Sequence, residues 1–110
     1  MKNLTPREIA DIAVPLAREY GIDELYLFGS AARGALTDES DVDFIYDLSG
    51  SPDRYRRVID FRHRLTESLG RPVDLIRKEY VSQRKNDEDS ELIRRAFMHN
   101  LQQYPIYRLL

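Results

Sequence analysis

Residues 24–46 read Glu-Leu-Tyr-Leu-Phe-Gly-Ser-Ala-Ala-Arg-Gly-Ala-Leu-Thr-Asp-Glu-Ser-Asp-Val-Asp-Phe-Ile-Tyr. Glu24 to Phe28 is a short apolar and aromatic run that ends at Gly29-Ser30, the pattern of a buried strand closed by a turn. Asp41 to Tyr46 reads as a second strand. Between them Ser30 is placed to cap a brief helix over Ala31 to Leu36, before the polar turn Thr37 to Ser40.

The flanking sequence supplies the rest of an alternating α/β pattern. Upstream, Thr5-Pro6 with Glu8 three positions on has the form of a capping box with proline at the first helical position. Ile9, Ile12, Ala13, Leu16, Ala17 and Tyr20 follow at helical spacing, Gly21 supplies the stop, and Pro15 is expected to kink the helix. Downstream, Ser51-Pro52 marks another helix start. Tyr55, Val58, Phe61, Leu65 and Leu69 mark its apolar face, and Gly70 closes it. Val73 to Ile76 is a third strand. After a charged link, Arg84 to Glu91, a further helix is expected on Leu92, Ile93, Ala96, Phe97 and Leu101, and Ile106 to Leu110 is a candidate edge strand. The expected fold class is α/β, a small mixed sheet flanked by helices.

Composition narrows the possible roles. The 110 residues fit a single domain, 1–110, and 42% hydrophobic content suffices for a core despite 33% charged residues. The net charge of -2, from 17 basic and 19 acidic side chains, speaks against nucleic acid as a direct ligand held by bulk electrostatics. The absence of cysteine removes disulfides and thiolate zinc sites and suggests a reducing, cytoplasmic setting. No apolar stretch has the length of a signal peptide core or a membrane span. The basic residues between Arg54 and Lys85, several on one predicted helix, read first as a solvated face, with a docking surface as the functional alternative. His63 and His99 have no partner at metal-ligand spacing.

The chemistry lies in the acids. Side chains alternate along a strand, so Asp41 and Asp43 share one face while Val42 and Phe44 point to the core. Two adjacent carboxylates on an apolar strand call for a cation, and magnesium, with its preference for hard oxygen ligands, is the natural one. Asp74, in Pro72-Val73-Asp74-Leu75-Ile76, would be the third carboxylate if its strand pairs with the second, and such a cluster suits two Mg2+ ions. Gly29 and Ser30 stand where free backbone donors and a hydroxyl can meet phosphate oxygens. Arg33 is positioned to add a forked guanidinium to the same anion.

Gly29-Ser30, a spacer with ten residues between Ser30 and Asp41, and Asp41-Val42-Asp43 resemble the motif of the nucleotidyltransferase superfamily that includes DNA polymerase beta. The Gly-Ser-x-Ala-Arg-Gly version, the Ser-Asp-x-Asp ending and the small size look most like its minimal nucleotidyltransferases. That resemblance implies metal ligation by Asp41, Asp43 and Asp74, with the last also helping to deprotonate a nucleophile, and phosphate binding by Gly29 and Ser30. It implies Mg2+-dependent transfer of AMP from ATP to a hydroxyl. It further implies a role as the antitoxin of a type VII-like toxin–antitoxin pair, acting on a tyrosine of a HEPN toxin, with homo- or hetero-oligomers open. Two other readings stay beside it: a binding module that blocks its partner without chemistry, and a free-standing transferase for a small molecule. Arg94 and His99 superficially resemble the Arg-x4-His element of the all-helical HEPN ribonucleases, a reading that the three strands oppose.

Overall fold

The computed structural model describes residues 4–32, 34, 40–50, 52–79 and 106–110. Helix α1 spans Pro6–Glu19. Its start is fixed by reciprocal bonds: the Glu8 amide donates to Thr5 Oγ1 (3.1 Å) and the Thr5 amide donates to Glu8 Oε1 (3.2 Å). The helix runs through Pro15, which lies on the exposed side, and ends where Gly21 adopts φ +71°. Ile9, Ala13, Leu16 and Ala17 form its buried stripe.

Strand β1 covers Glu24–Phe28 and β2 Val42–Asp47, so Asp41 stands one residue ahead of the strand rather than at its first position. Helix α2 spans Arg54–Leu69, starting later than the Ser51-Pro52 signal suggested because residues 52 and 53 form a turn. Gly70, at φ 67°, ends it in the left-handed conformation. Strand β3 is Val73–Arg77 and β4 is the two-residue Tyr107–Arg108, a shorter edge strand than 106–110. The predicted helix on Leu92 to Leu101 and the charged link before it lie outside the described residues.

The sheet order is β3-β2-β1-β4. β1 pairs antiparallel with β2 and with β4, whereas β2 and β3 are parallel and joined through α2. A parallel pair needs such a crossover, and the intervening helix supplies it. Leu25, Leu27, Val42, Phe44 and Val73 pack with Phe61, Leu65 and the α1 stripe in one core. The opposite face of the sheet carries a second, smaller cluster of Phe28 and Ile45, with Tyr26 and Ile76 against it.

Candidate active site

The second face of the sheet also carries the acids, because each lies one residue from a core position. Val42 and Val73 are buried in the main core, so Asp43 and Asp74 project to the other side. The register places Phe28 opposite Asp43 and Asp43 opposite Asp74, a single row across three strands. This row sits where β1 ends and where β2 and β3 begin. Asp41, just ahead of β2, lies at the same end.

Asp43 is half-buried, whereas Asp41 and Asp74 are exposed. Burial pushes the Asp43 carboxyl up to about 6, and the negative charges of Asp74 and Asp41 together with a hydrogen bond to Asp74 act in the same direction. None of these three acids forms a salt bridge with a lysine or arginine among the described residues. The repulsion concentrated on Asp43 is therefore met by no protein cation within that set.

Gly29 completes this corner. It has φ +74°, and a Cβ there would stand 2.7 Å from Asp43 Oδ2 and 3.6 Å from its Cγ. A larger residue would therefore displace the carboxylate as well as strain the backbone. Of the brief helix expected over Ala31 to Leu36, the described residues 31, 32 and 34 form turns, with the Ala32 amide donating to Gly29 O (3.1 Å) and the Gly34 amide to Ala31 O (3.2 Å), and the rest lies outside the described residues. Ala31 and Ala32 are almost wholly buried, which pins the turn onto the core, while Ser30 stays half-exposed. Only side chains as small as alanine let the turn sit this close. Arg33, along with 35–39, is outside the described residues.

The donor set fits magnesium better than a caged metal. Among the described residues no three acidic or imidazole side chains gather as a finished cage. Asp43 and Asp74 form a tight carboxyl pair, and Asp41 is near enough for its charge to act on Asp43. Mg2+ characteristically takes one or two carboxylates and fills its shell with water and substrate phosphate, so an open acidic pair suits it.

Two side chains that bear on the site have no sequence motif of their own. Arg71 is buried and directs Nη1 at the Ser40 carbonyl (3.4 Å). Arg62 on α2 donates through Nε to the Val73 carbonyl (2.9 Å). Arg62 is one of several arginines that read as a solvated face, and Arg71 sits between a helix-ending glycine and a proline, so neither residue stands out before the fold is known.

Comparisons with known proteins bear on the family and the fold. The nucleotidyltransferase domain family matches residues 9–99. A protein adenylyltransferase MntA of Thermococcus cleftensis is 34% identical over 71% of this chain and 82% of its own length. A putative protein adenylyltransferase of Methanocaldococcus jannaschii is 33% identical over 57% of this chain, and the match spans 63% of that relative, just under two thirds. Among solved structures, a toxin–antitoxin complex with AMP-PNP contains a chain that superposes with TM-score 0.53 at 20% identity, covering 86% of this chain and 90% of that one. A complex of tri-AMPylated Shewanella oneidensis HEPN toxin with its MNT antitoxin gives 0.51 at 19% identity, covering 90% and 91%. At these identities the structural likeness establishes the fold. With the family match over most of its length, the chain belongs to the nucleotidyltransferase family, in its minimal, MntA-like form.

Proposed function

We propose that this protein transfers AMP from ATP to a tyrosine hydroxyl of a HEPN-type toxin and so serves as the antitoxin of a type VII-like pair. The observation that carries the reading is the pairing of Asp43 with Asp74, with Gly29 packed close against the Asp43 carboxylate at the turn. The names of the relatives and the partners in the matching complexes support the choice of acceptor.

In this reading Asp41, Asp43 and Asp74 hold two Mg2+ ions, which supply charge neutralisation for the triphosphate and the transferring phosphate. The turn at Gly29 and Ser30, with Arg33, binds the β- and γ-phosphates through backbone amides, a hydroxyl and a guanidinium. The acceptor oxygen bonds to the α-phosphorus as the bond from that phosphorus to the bridging oxygen breaks. Pyrophosphate leaves, and the hydroxyl proton passes to the Asp74 carboxylate. The protein's contribution in this reading is alignment and a fixed electrostatic environment, supported by the backbone bonds at the turn and at the start of β2.

The deciding experiment incubates the chain, its partner toxin, Mg2+ and ATP labelled at the α-phosphate. Label bound covalently to a toxin tyrosine, lost with Asp43→Asn, is the expected result. A toxin that is bound and silenced with no label would replace this reading with a non-catalytic blocking module. Turnover of label with no protein partner present would point to a small-molecule acceptor.

A further inference from the structure

Each acid-bearing strand begins at a main-chain carbonyl held by an arginine. Arg71 directs Nη1 at the carbonyl of Ser40, the residue immediately before Asp41, and Arg62 donates to the carbonyl of Val73, the residue immediately before Asp74. Between these two points the Val42 amide donates to the Pro72 carbonyl at 3.0 Å, and the ladder continues as Val42 with Val73 and Asp43 with Asp74. The arginines thus grip the chain on both sides of the joint that sets the two carboxylates beside each other.

Three features set this arrangement apart from ordinary surface decoration. Arg71 is only 3% exposed, and taking a guanidinium out of water is costly unless it is held by partners. The contacts from Arg71 Nη1 and Arg62 Nε go to backbone carbonyls, which fix the path of the chain. The charges that act on Asp43 come from Asp74 and Asp41, so neither arginine serves as its counter-ion. A side chain that fixes the acids without neutralising them leaves their charge available to a cation.

We propose that Arg71, together with Arg62, is a positioning residue for the acids: it fixes the starts of β2 and β3 so that Asp43 and Asp74 stand side by side at a metal-binding edge, with Asp41 just ahead of it. The inference rests on the metal-binding reading of those acids, and one arm of its test is independent of that reading.

The test compares the full chain with Arg71→Met, Arg71→Lys and Arg62→Met. In the first arm, native-state amide exchange is followed in metal-free buffer. Loss of the Arg71 contact is expected to speed exchange at Val42 and Asp43 about 10-fold while Leu25 and Leu27 keep wild-type rates, the mark of local opening. In the second arm, Mn2+ is titrated alone and followed by its electron paramagnetic resonance signal. Affinity is expected to fall about 10-fold in Arg71→Met and in Arg62→Met, and to recover in part in Arg71→Lys, as when an outer-shell support is removed. Unchanged exchange at residues 42 and 43, or an equal acceleration throughout the sheet, overturns the proposal, as does wild-type Mn2+ affinity in both methionine variants. Should Arg71→Met fail to fold, Arg71→Lys and Arg62→Met give the same comparisons. A wild-type chain that binds no Mn2+ would refute the metal reading, and the exchange arm would still decide the role of the arginines.

Discussion

Asp43 occupies the space that a side chain at Gly29 would need, so each constrains what the other can be. Gly29→Ala places a methyl group 2.7 Å from Asp43 Oδ2 at a backbone angle of +74°. The expected outcome is a loss of about 1–3 kcal/mol in urea-unfolding stability together with weaker Mn2+ binding, because the carboxylate must rotate away. Asp43→Asn acts in the opposite direction on stability. The folded protein holds a proton on Asp43 up to about pH 6, against 3.8 for the unconstrained group. Over that window the native state binds more protons than the unfolded state, so this group's contribution to stability declines as pH rises from about 4 to about 6. Asparagine removes the penalty. In metal-free buffer at pH 7 the variant should be more stable by about 1 kcal/mol, after discounting for a half-open site, and the gain should vanish near pH 4. Thermal unfolding at the two pH values measures both parts. Added Mg2+ should raise the melting temperature of wild type and leave Asp43→Asn unmoved.

At the scale of elements, the period-two alternation that put Val42 and Phe44 inward was enough to place Asp43 outward, and the same rule worked for Val73 and Asp74. The capping box at Thr5 and the glycine stops at Gly21 and Gly70 were equally readable, since each depends only on residues within one turn. Thr5→Ala should cost about 1 kcal/mol in unfolding stability with no effect on metal binding, because the cap lies on α1, away from the acid row. What could not be read was set by tertiary fit. The turn after Gly29 forms no helix in its described part because buried Ala31 and Ala32 draw it onto the core. The burial of Arg71 depends on a carbonyl 31 residues away in sequence. Another long-range tie joins the far ends of β1 and β2, where Asp23 accepts from the Ser49 amide and hydroxyl, both at 2.8 Å. These bonds hold the Asp23 carboxyl below its usual value, so the stability they confer is present above the unfolded pKa and fades as pH falls through the folded one. Asp23→Ala should therefore lower the melting temperature at pH 7 and have little effect at pH 3.

Across the whole molecule the sheet divides its labour between two faces. One face, backed by α1 and α2, holds the main core. Phe44 and Leu65 are fully buried there, and Leu65→Ala should destabilise the fold by about 2–5 kcal/mol in chemical denaturation. The other face is graded from end to end. Phe28, Asp43 and Asp74 form the row at one end, Tyr26, Ile45 and Ile76 the row in the middle, and at the far end Glu24 accepts from the Tyr26 hydroxyl (2.6 Å) and pairs with Lys78 (3.0 Å). The parallel pairing of β2 with β3 has a consequence for how this face comes into being. All of α2 lies between those strands in sequence, and non-local pairings of this kind are slow because loop closure precedes their reward. Pairing β3 with β2 brings Asp74 against Asp43, so this pairing runs against electrostatic repulsion. A divalent ion that screens the pair should shorten refolding, and Asp74→Asn should refold faster than wild type only when the ion is absent.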